Sequence, residues 1–146
     1  MPTVAANFNH LSERFMKGDI DFSSATFKMM LLDSGYTLDL TDTQLGDVSA
    51  NEITGTGYTA GGETLTTVTV SRSGAKTTFD ADNIVWSTAT FTCRFGVIYA
   101  SGTFGGLVNP IVSYVLFDDT PADVSVTGQD FTVQIGANGI GYIDNA

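Results

Sequence analysis

The chain has 146 residues, with six basic side chains against sixteen acidic ones and a formal net charge of −10. Only 15% of its residues are charged, below the usual quarter, so Thr, Ser, Asn and Gly supply the rest of the polar surface, as in an all-β domain rich in turns. This length suits one domain with a sizeable core, and a surface so acidic, with its cations scattered at Arg14, Lys17, Lys28, Arg72, Lys76 and Arg94, argues against nucleic acid as a partner.

Pro2 to Lys17 reads as a helix. Val4, Phe8, Leu11 and Phe15 recur at i, i+4, i+7 and i+11, which lines one helical face. Lys17 and Gly18 supply a last-turn cation and a C-terminal stop. Such a helix either packs on the edge or end of a sheet or forms an arm that docks a neighbouring subunit through Phe8, Leu11 and Phe15. Ser23 to Asp33 holds a short apolar run interrupted by Lys28 and reads as a strand. After the loop Ser34 to Asp39, the Thr41-x-x-Gln44 spacing of a capping box predicts a short helical turn reaching Val48.

Asn51 to Val70 organises the middle of the chain. Gly55, Gly57, Gly61 and Gly62 fall within eight residues, which opens backbone conformations closed to other residues. The spacing is G-x-G-x-x-x-G rather than the dinucleotide fingerprint, no Gly-Lys-Ser/Thr follows, and Glu63 to Val70 is strand-like where a phosphate loop would open a helix. A structural turn is the reading. Leu65, Val68 and Val70 do not share one alternating phase, which predicts a bulge or an inward Thr67.

Ser73, Gly74 and Ala75 form a tight turn, and Phe79 on one side with Ile84 and Trp86 on the other brackets an acidic kink at Asp80 to Asn83. Thr90 to Ala100 is the cleanest strand. Phe91, Cys93, Phe95, Val97 and Tyr99 alternate with Thr92, Arg94, Gly96 and Ile98, so the first set is expected in the core and Arg94 opposite, facing an acidic neighbour or a partner. Pro110 to Phe117 reads as a central strand and Asp118 to Asp123 as a loop. Val124 to Val126, Gln129 to Ile135 and Gly139 to Ile143 complete about eight strands with turns roughly every 8–12 residues. The expected fold is an antiparallel β-sandwich, jelly-roll-like, over residues 19–146, preceded by an N-terminal helical arm over residues 1–18.

No catalytic residue, cofactor site or metal site emerges. His10 is the sole histidine and has no local nucleophile signature; GxSxG is absent. Cys93, the sole cysteine, allows no intramolecular disulfide and reads as a small buried apolar residue. The loop pairs Asp19/Asp21, Asp39/Asp42, Asp80/Asp82 and Asp118/Asp119 include one calcium candidate, Asp80 to Asn83, but no EF-hand spacing; turn initiation is the simpler role. Paired carboxylates also suit glycoside hydrolysis, yet Trp86 is the sole tryptophan available as a sugar platform. The amino terminus MPTVAANFNH has neither a charged leader region nor an apolar run, and no stretch of eighteen apolar residues exists. A soluble, cytoplasmically synthesised protein without a membrane partner is therefore expected.

Ala50 to Gly62 (ANEITGTGYTAGG) and Asp80 to Tyr99 (DADNIVWSTATFTCRFGVIY), in their order after GDIDFSSATFKMMLLDSGYT, resemble a family of small virion structural proteins of tailed bacteriophages and prophages. The resemblance runs from about Asn7 to Asp144. It implies a non-enzymatic capsid cement or decoration protein on the virion surface, bound to the phage major capsid protein and self-associating as a homo-oligomer, often a trimer. The expected subunit or capsid contacts are Phe8, Leu11, Phe15, Gly55, Gly57, Tyr58, Gly61, Gly62 and Arg94. The alternative is a tail, baseplate or head-fibre module that binds host-surface glycan through Tyr58, Tyr99 or Trp86.

Overall fold

The computed structural model describes residues 4–146, and the fold is all-β with one N-terminal helix. The central element is a five-stranded antiparallel sheet. It is built from β1 (Val4–Asn7), β2 (Phe27–Leu32), β3 (Glu63–Thr64), β7 (Phe95–Ala100) and β10 (Ile111–Leu116), in the order β1-β10-β7-β2-β3. Three smaller sheets surround it: a hairpin of β4 (Thr69–Ser73) and β5 (Lys76–Asp80) extended by β12 (Gly141–Asp144); the ribbon of β6 (Ile84–Cys93) with β11 (Val124–Val133); and the hairpin of β8 (Thr103–Phe104) with β9 (Leu107–Val108).

Apolar residues fill both faces of the five-stranded sheet. Alternate residues of β2 divide between two cores: Phe27, Met29 and Leu31 enter the larger, Met30 and Leu32 the smaller. β7 divides in the same way, with Ile98 and Ala100 in the larger core and Phe95, Val97 and Tyr99 in the smaller. This period-two exchange is what a strand buried on both sides requires. The larger core is strongly aromatic. Phe22, Phe27 and Phe79 meet at centroid separations of 4.9 to 5.2 Å, and Trp86 packs at 5.8 Å from Phe131.

Several expectations change in physical detail. The alternation through Thr90 to Ala100 breaks at Arg94, where the chain leaves the β6–β11 ribbon and enters the central sheet. Phe91 and Cys93 thus share a core with Ile98, while Phe95, Val97 and Tyr99 face the other one. The phase slip after Leu65 is a complete break: Thr67 has φ 52°, and β3 and β4 belong to different sheets. The two segments expected at 124–126 and 129–135 join as β11, with register shifts on either side of Gln129. The capping box forms at Gln44 and Asp47 rather than at Thr41 and Gln44, because the Asp47 carboxylate accepts the Gln44 and Thr43 N–H groups over a 3-10 turn, Leu45–Asp47.

The N-terminal helix is the largest correction. Only Leu11–Lys17 is helical (α1), while Val4–Asn7 pairs with β10 from Val4↔Leu116 to Asn7↔Ser113. The expected start of the helix, Pro2 and Thr3, lies outside the described residues. Tertiary pairing wins here because β10 would otherwise present an open edge, and Asn7 and Asn9 are weak helix formers. The C-terminal stop is as expected: Gly18 is left-handed at φ 67° and donates to the Phe15 carbonyl.

Cys93 lies fully buried in the larger core, and burial pushes its thiol up to about 12. It should resist alkylation in the native protein at pH 8 and react on unfolding; mass spectrometry after a thiol-reagent pulse reads this directly. The Tyr36 hydroxyl is likewise pushed up to about 12, mainly by burial, and Tyr58 and Tyr99 are raised from their ordinary value for the same reason. An acid whose folded pKa is raised stabilises the fold below its unfolded pKa and loses that contribution as pH climbs toward the folded value. These groups ordinarily titrate at 9.0 for the thiol and 10.0 for the phenols. The melting temperature should therefore fall progressively above about pH 9, as thermal melts across pH 7 to 11 would record.

Candidate functional site

The glycine-rich stretch is a clamp on the central sheet. Ile53 donates its N–H to the Leu31 carbonyl, and two 3-10 turns, Leu45–Asp47 and Ser49–Asn51, lead into it. The Glu52 carboxylate accepts from the Tyr58 hydroxyl at 2.8 Å and from the Gly61 N–H at 2.6 Å. The Tyr58 oxygen in turn accepts the Leu31 N–H at 3.1 Å, and the Tyr99 hydroxyl donates to the Gly61 carbonyl at 2.6 Å. The loop is thus fastened to β2 and β7 by a closed polar network. Charged hydrogen bonds of this kind contribute about 1.5–3 kcal/mol, so Glu52→Ala should cost about 2 kcal/mol in chemical denaturation.

Glycine is needed here for close approach. Gly55 and Gly57 lie against the backbone of β6 near Thr90 and Ala89, and Gly62 lies against the Met29 carbonyl. Gly55 and Gly57 are exposed, Gly61 and Tyr58 are partly buried, and Gly62 is buried. The ring faces offered to glycan are not free: Trp86 is 1% exposed, Tyr99 is 4% exposed, and Tyr58 spends its hydroxyl on Glu52 and Leu31.

The other expected contacts are spread apart. Phe8 and Leu11 are buried at 2% and 6%, so they hold the N-terminal segment on the body and leave Phe15, at 40%, as the apolar residue of that set facing solvent. Phe15 packs on Phe22 with centroids 4.7 Å apart. Arg94 bonds Asp123 through Nε at 2.8 Å, the acidic neighbour its position called for.

The feature that sequence reasoning missed is a surface groove of about 300 Å³. One wall is α1, with Leu11, Ser12 and Phe15; the other is the β4-β5-β12 sheet, with Val70, Thr77 and Ile143. Phe22, Phe79 and Val112 also line it. Among the described residues the lining contains no carboxylate, histidine, lysine, arginine or cysteine. Of its lining, Tyr142 is 53% exposed, Ile143 49% and Val70 44%, a density of exposed apolar side chains that marks interaction surfaces. Two strand edges border the groove, since β1 and β12 each end a sheet. No local sequence signal joins residues 11–15 to residues 140–143, so the groove exists only once the sheets are assembled.

His10 stands at the N-cap position of α1 without a side-chain capping bond, and its Nε2 lies 2.7 Å from the Ile111 carbonyl oxygen. In the calcium candidate, Asp80 accepts the Ala81 N–H, Asp82 accepts from Thr67, and Asn83 accepts the Ile135 N–H. Asp21, Asp39 and Asp118 each bond the hydroxyl and N–H two residues on, which holds their carboxyls below the usual range. Among the described residues no group of three or more His, Cys, Asp or Glu side chains is placed to hold a metal ion. Comparison with known protein families, curated proteins and solved structures gives no match.

Proposed function

We propose that this chain is a non-enzymatic structural subunit of a tailed-bacteriophage virion, a capsid cement or decoration protein that self-associates and stabilises the lattice of the major capsid protein. The observation that carries the structural role is the groove, an open and mainly apolar surface whose lining, among the described residues, holds no carboxylate, histidine, lysine, arginine or cysteine. Such a surface suits association with another macromolecule. The sequence resemblance over Asn7 to Asp144 supplies the virion assignment. Repetition of a subunit over a lattice converts modest contacts into tight attachment by avidity. The arrangement of the β6–β11 ribbon and the β4-β5-β12 sheet over one face of the central sheet further supports reading the fold as a jelly-roll-like sandwich.

Addition of the purified chain to heads assembled without it tests this reading. Saturable co-sedimentation with heads is expected. Failure to bind heads, together with retention on a host-glycan array, would instead favour the tail or fibre role, for which burial of Trp86 and Tyr99 leaves little aromatic platform.

A further inference from the structure

The turn between β11 and β12 carries a reactive pair of residues. Of the chain's seven asparagines, Asn138 alone is followed by glycine. Each of the others precedes a residue with a side chain, and Asn109 precedes Pro110, whose nitrogen has no proton to give up. A main-chain nitrogen can attack the side-chain amide of the asparagine before it, and a side chain on the attacking residue obstructs that approach. Asparagine is thermolabile for this reason.

The fold itself requires glycine at this position. Gly139 has φ 67°, and a β-carbon there would strike the Phe79 carbonyl of β5. Its N–H donates to the Gly136 carbonyl at 2.9 Å, and the Ile140 N–H donates to the Phe79 carbonyl at 2.8 Å, which closes the turn and leads into β12. Gly136, Ala137 and Asn138 are exposed, so water and hydroxide reach them. The Asn138 amide is also engaged by a cation, because Lys76 Nζ donates to its Oδ1 at 2.5 Å. A cation on an amide oxygen draws electrons from the carbon and stabilises the negative charge that forms on that oxygen during attack. The side chains of Asn51, Asn83 and Asn109 bond instead to Asp33, the Ile135 N–H and the Gly102 N–H. None of these is a cation.

We propose that Asn138 and Gly139 form a self-modification site, at which the Gly139 nitrogen attacks the Asn138 amide held by Lys76 and converts it to aspartate or isoaspartate. The Gly139 nitrogen leaves its bond to Gly136, loses its proton to hydroxide and forms a bond to Asn138 Cγ. The amide nitrogen takes a proton from water and departs as ammonia when its bond to Cγ breaks, leaving a succinimide ring. Water opens the ring at the side-chain carbonyl to give aspartate, or at the main-chain carbonyl to give isoaspartate. One water is consumed and one ammonia released. Either product sets a carboxylate beside Lys76. Isoaspartate also lengthens the main chain just before Ile140, whose bond to Phe79 anchors β12 and with it one wall of the groove.

Peptide mapping of the intact chain, incubated folded at mildly alkaline pH, reads the conversion and separates the two products. Asn138 should convert ahead of the other six asparagines, at a rate that rises with hydroxide concentration. Lys76→Met should slow conversion at Asn138 severalfold, leave the exposed Asn145 unchanged and keep a native circular dichroism spectrum. In urea the wild type and Lys76→Met should convert Asn138 at one rate, because unfolding takes Lys76 away from the amide. Hydrogen exchange of residues 140–144 should quicken as isoaspartate accumulates. An Asn138 that stays intact in the folded chain while the unfolded chain converts would show that the turn protects it, which overturns the proposal. Equal rates for folded wild type and folded Lys76→Met would overturn it as well.

Discussion

Gly62→Ala should abolish the native fold or lower its stability by about 3 kcal/mol or more, at the upper end of single-substitution effects. Gly62 has φ 81° and is buried, and a methyl group there would run into the Met29 carbonyl of β2. Two costs add: left-handed strain for a residue with a β-carbon, and displacement of backbone that cannot yield like a flexible side chain. Met29 sits in a central strand and faces the larger core, so the displacement would spread into the β2–β3 pairing. Gly74→Ala is the informative control. It has φ 60° but open space around it, so it should lose only the strain, about 1–2 kcal/mol. Denaturant unfolding of both variants separates crowding from conformation. Equal losses would mean that Gly62 is kept for its φ alone.

Removal of residues 1–17 should have a comparably large effect. The sequence reads this segment as a helix either packed on a sheet or docking a neighbour as an arm; in the structure residues 4–17 supply an edge strand to the central sheet and two buried side chains to its cores. Phe8 is 2% exposed, lies in the smaller core and meets Tyr114 edge to face at 5.9 Å. Truncation of a buried phenylalanine to alanine costs about 3–5 kcal/mol, so Phe8→Ala alone should consume a large part of a stability that is typically about 5–15 kcal/mol for a domain. Deletion of the whole segment would also uncover the edge of β10 and invite strand-to-strand aggregation. Expression of the truncated chain should give insoluble or unfolded material by circular dichroism. A truncated chain with a native spectrum and unchanged melting temperature would show that the segment is an appendage after all.

These two predictions mark what sequence reasoning reached. Strand positions were legible where alternation or an apolar run was strong: β2, β7, β10 and the turn at Gly74 all lie where periodicity placed them. Cys93 was legible as a buried apolar residue and Arg94 as a residue facing an acidic neighbour, which is Asp123, although the period of two breaks at Arg94 and sends Phe95, Val97 and Tyr99 to the other core. What failed was long-range. Val4, Phe8, Leu11 and Phe15 fit a helical stripe, but pairing with β10, more than a hundred residues away in sequence, decides the conformation of residues 4–7. A local pattern cannot register that competition.

The site was less legible than the fold. The glycine motif was correctly read as a turn, while its fastening by Glu52, Tyr58 and Tyr99 depends on contacts between β2, β7 and the loop. The groove depends on the approach of α1 to a sheet completed by the last strand of the chain.

The central claim, that this chain is a structural subunit of a phage head, is tested most directly by imaging the assembled virion at a resolution that traces individual strands. The account predicts repeated copies at symmetry-related positions on the outer head lattice, with density matching the five-stranded sheet and its flanking β4-β5-β12 sheet. Density for the chain at the tail tip alone, or a particle that lacks the chain altogether, would contradict it.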